Sequence, residues 1–301
     1  MEPWIPITVA AAFLQNLRST AQKHLKSVMG TTGATFVRFG FGFPFALLFV
    51  FALNSLGGYP LPAPNAEFIA WVVVGGVMQI LATFLLVHLF SFRNFAVGTA
   101  YSRTEPAQAA VFGMLFLGER AAGSVLAAIA TSVFGVMLIS VARMPVSWRS
   151  LLTSLGSRNA VVGLSSGTAF GVAAVAYRGA SISLGGPNFI MQAAVTLAFV
   201  IVFQTAIMAG WMLLRERQEL ARIARAWKPS LFVGLVGACA SFGWFMAMTL
   251  QQAAVVKALA QVEMIFTLAS TAYFFRESIN RLELVGCALI VGGILVLLLV
   301  P

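Results

Sequence analysis

Ten times along this chain a stretch of about 20 apolar residues, the length that carries a helix across hydrocarbon, ends at a break rich in glycine, proline or charge. The candidate spans run approximately over 4–28, 33–55, 67–91, 95–117, 120–142, 158–183, 187–211, 228–250, 254–275 and 280–300. A backbone inside a bilayer has no water to bond. Only helices, which satisfy their own peptide groups, or closed barrels cross it, and these runs are too long for barrel strands. The fold class that follows is an all-α integral membrane protein with ten transmembrane helices. Composition agrees, with 9% charged residues where a soluble domain carries about 25%. The net charge of +10 would point to nucleic acid in a soluble protein. Here it belongs to basic loops that orient the chain, so no nucleic-acid partner is expected and the partners are the lipid bilayer and a small molecule.

Breaks fall at Gly30 to Gly33, at the three-proline segment Gly57 to Pro64, at Gly118 and at Gly185-Gly186-Pro187. The first apolar stretch lacks a basic leader and continues into more membrane sequence, so it reads as a retained span. Cys239 and Cys287 sit in apolar segments without CxxC spacing, which indicates neither a disulfide framework nor a zinc site. Thirteen of the 19 Lys and Arg residues fall in or beside the connections between spans 1-2, 3-4, 5-6, 7-8 and 9-10, and Arg120 lies on the opposite side. The positive-inside rule then puts both termini outside the cytoplasm. The remaining five, Arg18, Arg38, Arg103, Arg178 and Lys257, lie within spans.

A second constraint is internal. Residues 102–119 read SRTEPAQAAVFGMLFLGE and residues 260–277 read AQVEMIFTLASTAYFFRE. An offset of 158 superimposes Glu105 on Glu263, Glu119 on Glu277, Ala96 on Ala254, Phe116 on Phe274 and Gly135 on Gly293. The chain therefore divides into a first repeat over 1–142, a linker over 143–157 carrying Trp148 among arginines, and a second repeat over 158–301. Duplication that places matching polar residues in both halves of a membrane protein marks secondary transporters, whose substrate site forms between the halves.

An ionisable group costs roughly 2.5 to 3.5 kcal/mol at the bilayer centre, so the cations and glutamates within spans should face a cavity or each other. On the first span Gln15, Arg18 and Gln22 share a face by their spacing; Arg18 either lines water there or snorkels to headgroups. On the fourth span Tyr101, Glu105, Gln108 and Phe112 form one stripe of a continuous helix, with Arg103 pointing elsewhere because residues two apart diverge by about 200°. On the ninth, Lys257, Gln261 and Met264 align, with Glu263 on another face. Gln79 and Thr83 are one turn apart and line the cavity. Trp244 shares a face with Ser241 and either packs or offers a ring to an organic cation. The expected substrate-binding residues are Gln15, Arg18, Gln79, Tyr101, Arg103, Gln108, Trp244, Lys257 and Gln261.

Glu105 and Glu263 are candidate proton-coupling groups, because a carboxylate in low dielectric binds a proton more readily; the alternative is a structural pair with an arginine. Glu119 and Glu277, at helix junctions, are expected to cap the following helices. Gly135 and Gly293 are expected to be structural, and His88 packs rather than relays protons. Cations within spans outnumber carboxylates, which favours an anionic or zwitterionic solute. Arg38 and Lys257 lie near span ends.

The endings Leu117-Gly118-Glu119 and Phe275-Arg276-Glu277, each followed by a glycine-bearing span, together with Pro106 and Arg38 in ATFVRFGFGFPF, resemble the EamA-like ten-helix branch of the drug/metabolite transporter superfamily. The resemblance covers nearly the whole chain. It implies two inverted five-helix repeats around a central cavity, alternating access without nucleotide hydrolysis or any cofactor, and export of a small metabolite or drug through the cell membrane, by a monomer or homodimer. Met264 replaces Pro106 in the second repeat, so the half-sites differ. An intramembrane enzyme is the main rival, but the chain has no Asp, no HExxH, no GxSxG and no P-loop. A passive channel and an assembly scaffold are further alternatives.

Overall fold

A computed structural model describes residues 2–89, 91–92, 95–142, 157–186, 188–266, 268 and 280–299. The helices are α1 (Trp4–Leu25), α2 (Thr31–Gly40), α3 (Phe43–Ser55), α4 (Ala66–Leu89), α5 (Phe95–Ser102), α6 (Glu105–Leu117), α7 (Gly123–Val141), α8 (Arg158–Ser183), α9 (Phe189–Arg215), α10 (Arg217–Arg225), α11 (Trp227–Leu250), α12 (Ala253–Leu259) and α13 (Arg281–Leu299). Residues 262–266 are also helical, and no strand occurs among the described residues. Among the described residues, seven spans, α2 with α3 counted as one, are long and apolar enough to cross a membrane. The first span is α1, whose second half is polar. The fourth and ninth are broken helices. Most of the linker and the segment containing Phe275, Arg276 and Glu277 lie outside the described residues.

The architecture is an all-α membrane protein in which the repeats interlock. The most extensive helix pairings are α4 with α8, α7 with α13 and α1 with α11. Each joins one repeat to the other, and α1 with α11 is the counterpart of α8 with α4 under exchange of the repeats. The five crossings per repeat expected from hydropathy are an odd number, which implies a second repeat inserted from the opposite side and an inverted symmetry. Hydrophobic force is weak between helices in lipid, and close approach through small residues replaces it. Gly135 and Gly293 do this on α7 and α13: a Cβ on Gly135 would lie 2.6 Å from the Gly286 carbonyl oxygen, and one on Gly293 would lie 2.2 Å from Ser132 Oγ. Side chains such as Leu47, Phe51, Leu115, Leu214, Leu284 and Leu299 are exposed on the outside, as a lipid-facing surface requires.

Three spans are interrupted, and the interruptions aim side chains inward. The second breaks at Phe41-Gly42, where Pro44 opens α3 and a Cβ on Gly234 of α11 would lie 2.4 Å from Phe41. The fourth breaks at Arg103-Thr104. Thr104 N donates to Tyr101 O at 3.2 Å, a three-residue pitch, and Pro106 begins the new helix. The ninth breaks at the equivalent place, with Glu263 N donating to Ala260 O and Met264 N to Gln261 O, both at 3.0 Å. No proline is needed there.

Candidate solute cavity between the repeats

The two breaks overturn the expectation of a continuous stripe on the fourth and ninth spans. Tightening the pitch at 103–104 and 260–264 rotates the chain, so that Arg103 and Glu105 face one space together with Lys257 and Glu263. That space is a cavity of about 90 Å³, continuous in its lining with hollows of about 20 and 10 Å³. It has room for several water molecules. Side chains from α1, α2, α4, α5, α6, α8, α11 and α12 line it. Trp244, Phe245, Phe170 and Met248 provide an apolar wall.

At one end, two ion pairs cross between the repeats. Lys257 Nζ lies 2.9 Å from Glu105 Oε1. Arg103 pairs with Glu263, whose other oxygen accepts from Gln15 Nε2 at 3.5 Å. The two glutamates occupy equivalent positions in the duplication, whereas Lys257 aligns with Thr99 and Arg103 with Gln261. Each carboxylate therefore takes its counter-charge from the other half of the molecule. Lys257 also lies over the Trp244 ring at 4.7 Å, so the protein's own ammonium takes that aromatic face.

Two further arginines line the cavity. Arg38, at 7% exposure, is buried and does not reach water near a span end as its position suggested. It donates to Thr83 Oγ1 at 3.3 Å and Ser241 Oγ at 3.4 Å. With its amide oriented by the surrounding bonds, Gln79 accepts from both terminal nitrogens of Arg38 at 2.8 and 2.9 Å and donates to Tyr177 Oη at 3.3 Å. Tyr177 in turn donates to Gly75 O at 2.9 Å and accepts from Gln204 Nε2 at 3.2 Å. Arg18 is 5% exposed and reaches Ser19 Oγ at 3.2 Å.

Of the expected binding residues, Gln15, Arg18, Gln79, Arg103, Trp244 and Lys257 line the main cavity together with the expected proton-coupling Glu105 and Glu263, and Gln261 lines the adjoining hollow. Tyr101 and Gln108 do not. Tyr101 is buried, and Gln108 ties α6 to α8 by accepting from Thr168 Oγ1 at 2.5 Å. Thr83 braces Arg38 rather than lining the space. Ser19, Ser102 and Tyr177 line the cavity without having been expected there, and Arg38 and Ser241, noted in the sequence but not among the expected binding residues, line it too. For Arg38 a signal existed: the glycine and proline that follow it mark a break in mid-span, which places the arginine about 10 Å into the membrane at 1.5 Å per residue.

Glu119 does not cap α7, whose N-cap Ala122 has no side-chain cap bond. It pairs with Arg178, and Arg178 Nη1 also donates to Met248 O at 2.6 Å and Gln251 O at 2.7 Å. A cation at the carbonyl end of α11 completes its orphan acceptors. Met248 lines the cavity as well, so this pair lies directly behind the cavity wall. Its counterpart Glu277 lies outside the described residues. His88 packs between Phe84 and Phe92.

Comparison with known proteins bears on what such a cavity is for. No curated protein matches the chain. A solved crystal structure superposes with a TM-score of 0.71 at 17% identity, covering 97% of this chain and 94% of the other, which is a likeness of fold. The model of the EamA-like transporter family matches residues 3–141 and again 158–299, one match for each repeat. The chain belongs to the EamA-like transporter family.

Proposed function

We propose that this protein is a secondary carrier that moves a small organic solute across the cell membrane by alternating access, acting by transport rather than catalysis. The observation that carries the proposal is the cavity between the repeats, lined from both halves and bridged by two ion pairs that cross from one half to the other. Inverted repeats supply two equivalent arrangements, open to opposite sides, and the carrier passes between them by rocking one half against the other. Crossed pairs suit such a step because they must loosen when the halves move.

Glu105 is the proposed proton site. Protonation removes the charge that holds Lys257, frees one of the two cross-repeat ties and so links a proton to the rocking step. Glu263 is the second candidate. Outward movement, which the family resemblance implies, and placement of both termini outside the cytoplasm, which the loop charges support, complete the proposal. A C-terminal reporter active only in the cytoplasm should stay silent.

The test is counterflow in liposomes containing the purified protein. Solute on one side should accelerate uptake of labelled solute from the other, and a pH gradient should drive accumulation. Glu105→Gln should abolish the dependence on the pH gradient while the protein keeps its melting temperature within a few degrees. Flux insensitive to solute on the far side would make the protein a channel, and unchanged coupling in Glu105→Gln would remove that residue from the proton path.

A further inference from the structure

Charges lining the cavity do not balance. The crossed pairs set Lys257 against Glu105 and Arg103 against Glu263, which leaves Arg18 and Arg38 facing the same space with no ion-paired carboxylate of their own among the described residues. We propose that Arg18 and Arg38 form an oxyanion subsite that takes the carboxylate or phosphate group of the transported solute. This inference rests on the carrier reading and adds the chemical class of the cargo.

Arg18 supplies the first argument. It lies 5% exposed on α1, it lines the cavity, and its Nε and Nη1 have no hydrogen-bond partner among the described residues. The charge of Arg38 repels it and that of Glu263 attracts it. A buried guanidinium with unsatisfied donors costs stability in the ligand-free protein, and an oxyanion with two oxygens matches the parallel N–H pair of its fork.

Arg38 supplies the second. Its partners are neutral, and they hold it from several helices: Thr83 and Gln79 on α4 and Ser241 on α11. Tyr177 of α8 and Gln204 of α9 fix Gln79 from behind. A donor braced in this way costs little reorganisation when a ligand arrives.

The third argument is convergence. Gly237 of α11 sits against both stems, since a Cβ there would lie 3.3 Å from Arg18 Cδ and 3.6 Å from Arg38 Cγ. The absent side chain lets two like charges from different helices come together at one spot, which nothing in the apolar packing requires. The apolar wall that Phe245 and Phe170 add to the same cavity takes the solute's organic part.

The experiment uses full-length protein purified in detergent and four probes: butanedioate, inorganic phosphate, and 1,4-butanediol and 1,4-diaminobutane as neutral and cationic analogues of the first. An oxyanion should raise the melting temperature, and the diol and diamine should not. Butanedioate acting without phosphate identifies a carboxylate cargo, and the reverse identifies a phosphate ester. Arg18→Gln should weaken the oxyanion about tenfold or more while raising the melting temperature of the ligand-free protein, an increase that a merely structural arginine would not give. Arg18→Lys, which keeps the charge and loses the fork, should weaken it less.

Stabilisation by the diamine without either oxyanion, no stabilisation by either oxyanion, or unchanged oxyanion affinity in Arg18→Gln would overturn the subsite. Counterflow separates this outcome from failure of the carrier reading. Oxyanions that bind without exchanging across liposomes leave the subsite standing and remove the carrier. Exchange of a neutral or cationic solute that oxyanions do not inhibit does the opposite.

Discussion

Glu263 shows how single residues bind the two halves together. Its carboxylate, buried on the second repeat, takes Arg103 and Gln15 from the first. Arg103→Gln deprives it of its counter-charge. Breaking a fully buried pair costs about 3–5 kcal/mol, and the partial exposure of Arg103 together with the remaining Gln15 contact reduces this to about 1–2 kcal/mol. Arg103→Gln combined with Glu263→Gln should restore most of the lost stability, because neither charge is then left alone. A double-mutant cycle on melting in detergent measures this coupling, and additive losses would show that the pair does not hold the repeats. Most of the cavity was legible at this scale, since an ionisable side chain such as Arg18 or Lys257 inside a span has few places to go but inward. Gln108 misled for the same reason in reverse. A polar residue on the expected face found a neighbour, Thr168, and needed no cavity.

The spans themselves were readable because hydropathy depends on composition and tolerates local geometry. The breaks were not. Pro106 marks the one in the fourth span, but Met264 stands at the equivalent position of a break just as definite. A helical wheel drawn through either one assigns Arg103 and Glu263 to wrong faces. The interruption is therefore imposed by packing rather than by proline, and Pro106→Ala should keep counterflow within about twofold of the parent, at a stability change below about 1 kcal/mol; collapse of transport would make the proline the cause. Close packing between helices gives a further test. A Cβ on Gly163 of α8 would lie 2.1 Å from the Gly98 carbonyl oxygen, backbone that no side-chain rotation can move. Gly163→Ala should destabilise by about 1–3 kcal/mol, whereas Gly210→Ala, with nothing within 4 Å of the added carbon, should be neutral in the same melting measurement.

For the whole molecule the central claim is that one chamber serves both sides of the membrane in turn. Duplication across a linker, pairings such as α1 with α11 and α4 with α8 that exchange partners between halves, and crossed ion pairs at the midline all fit a body with two equivalent states. The Arg178 and Glu119 pair sits at the end of α11 behind Met248, and the carrier reading makes it the plug on that side of the cavity. A mirror arrangement involving the second repeat's Glu277 is the counterpart that the duplication predicts.

Accessibility of the chamber measures this most directly. In a background with Cys239→Ser and Cys287→Ser, which removes both cysteines, a single Ser241→Cys in sealed vesicles is treated with a membrane-impermeant thiol reagent from one side and then from the other. An alternating carrier labels from each side in separate experiments, with transported solute shifting the ratio of the two rates. Arg178→Gln, by loosening the plug, should raise labelling from the side that the plug closes. Failure to label Ser241→Cys from either side, or labelling from both at rates that solute leaves unchanged, would contradict alternating access.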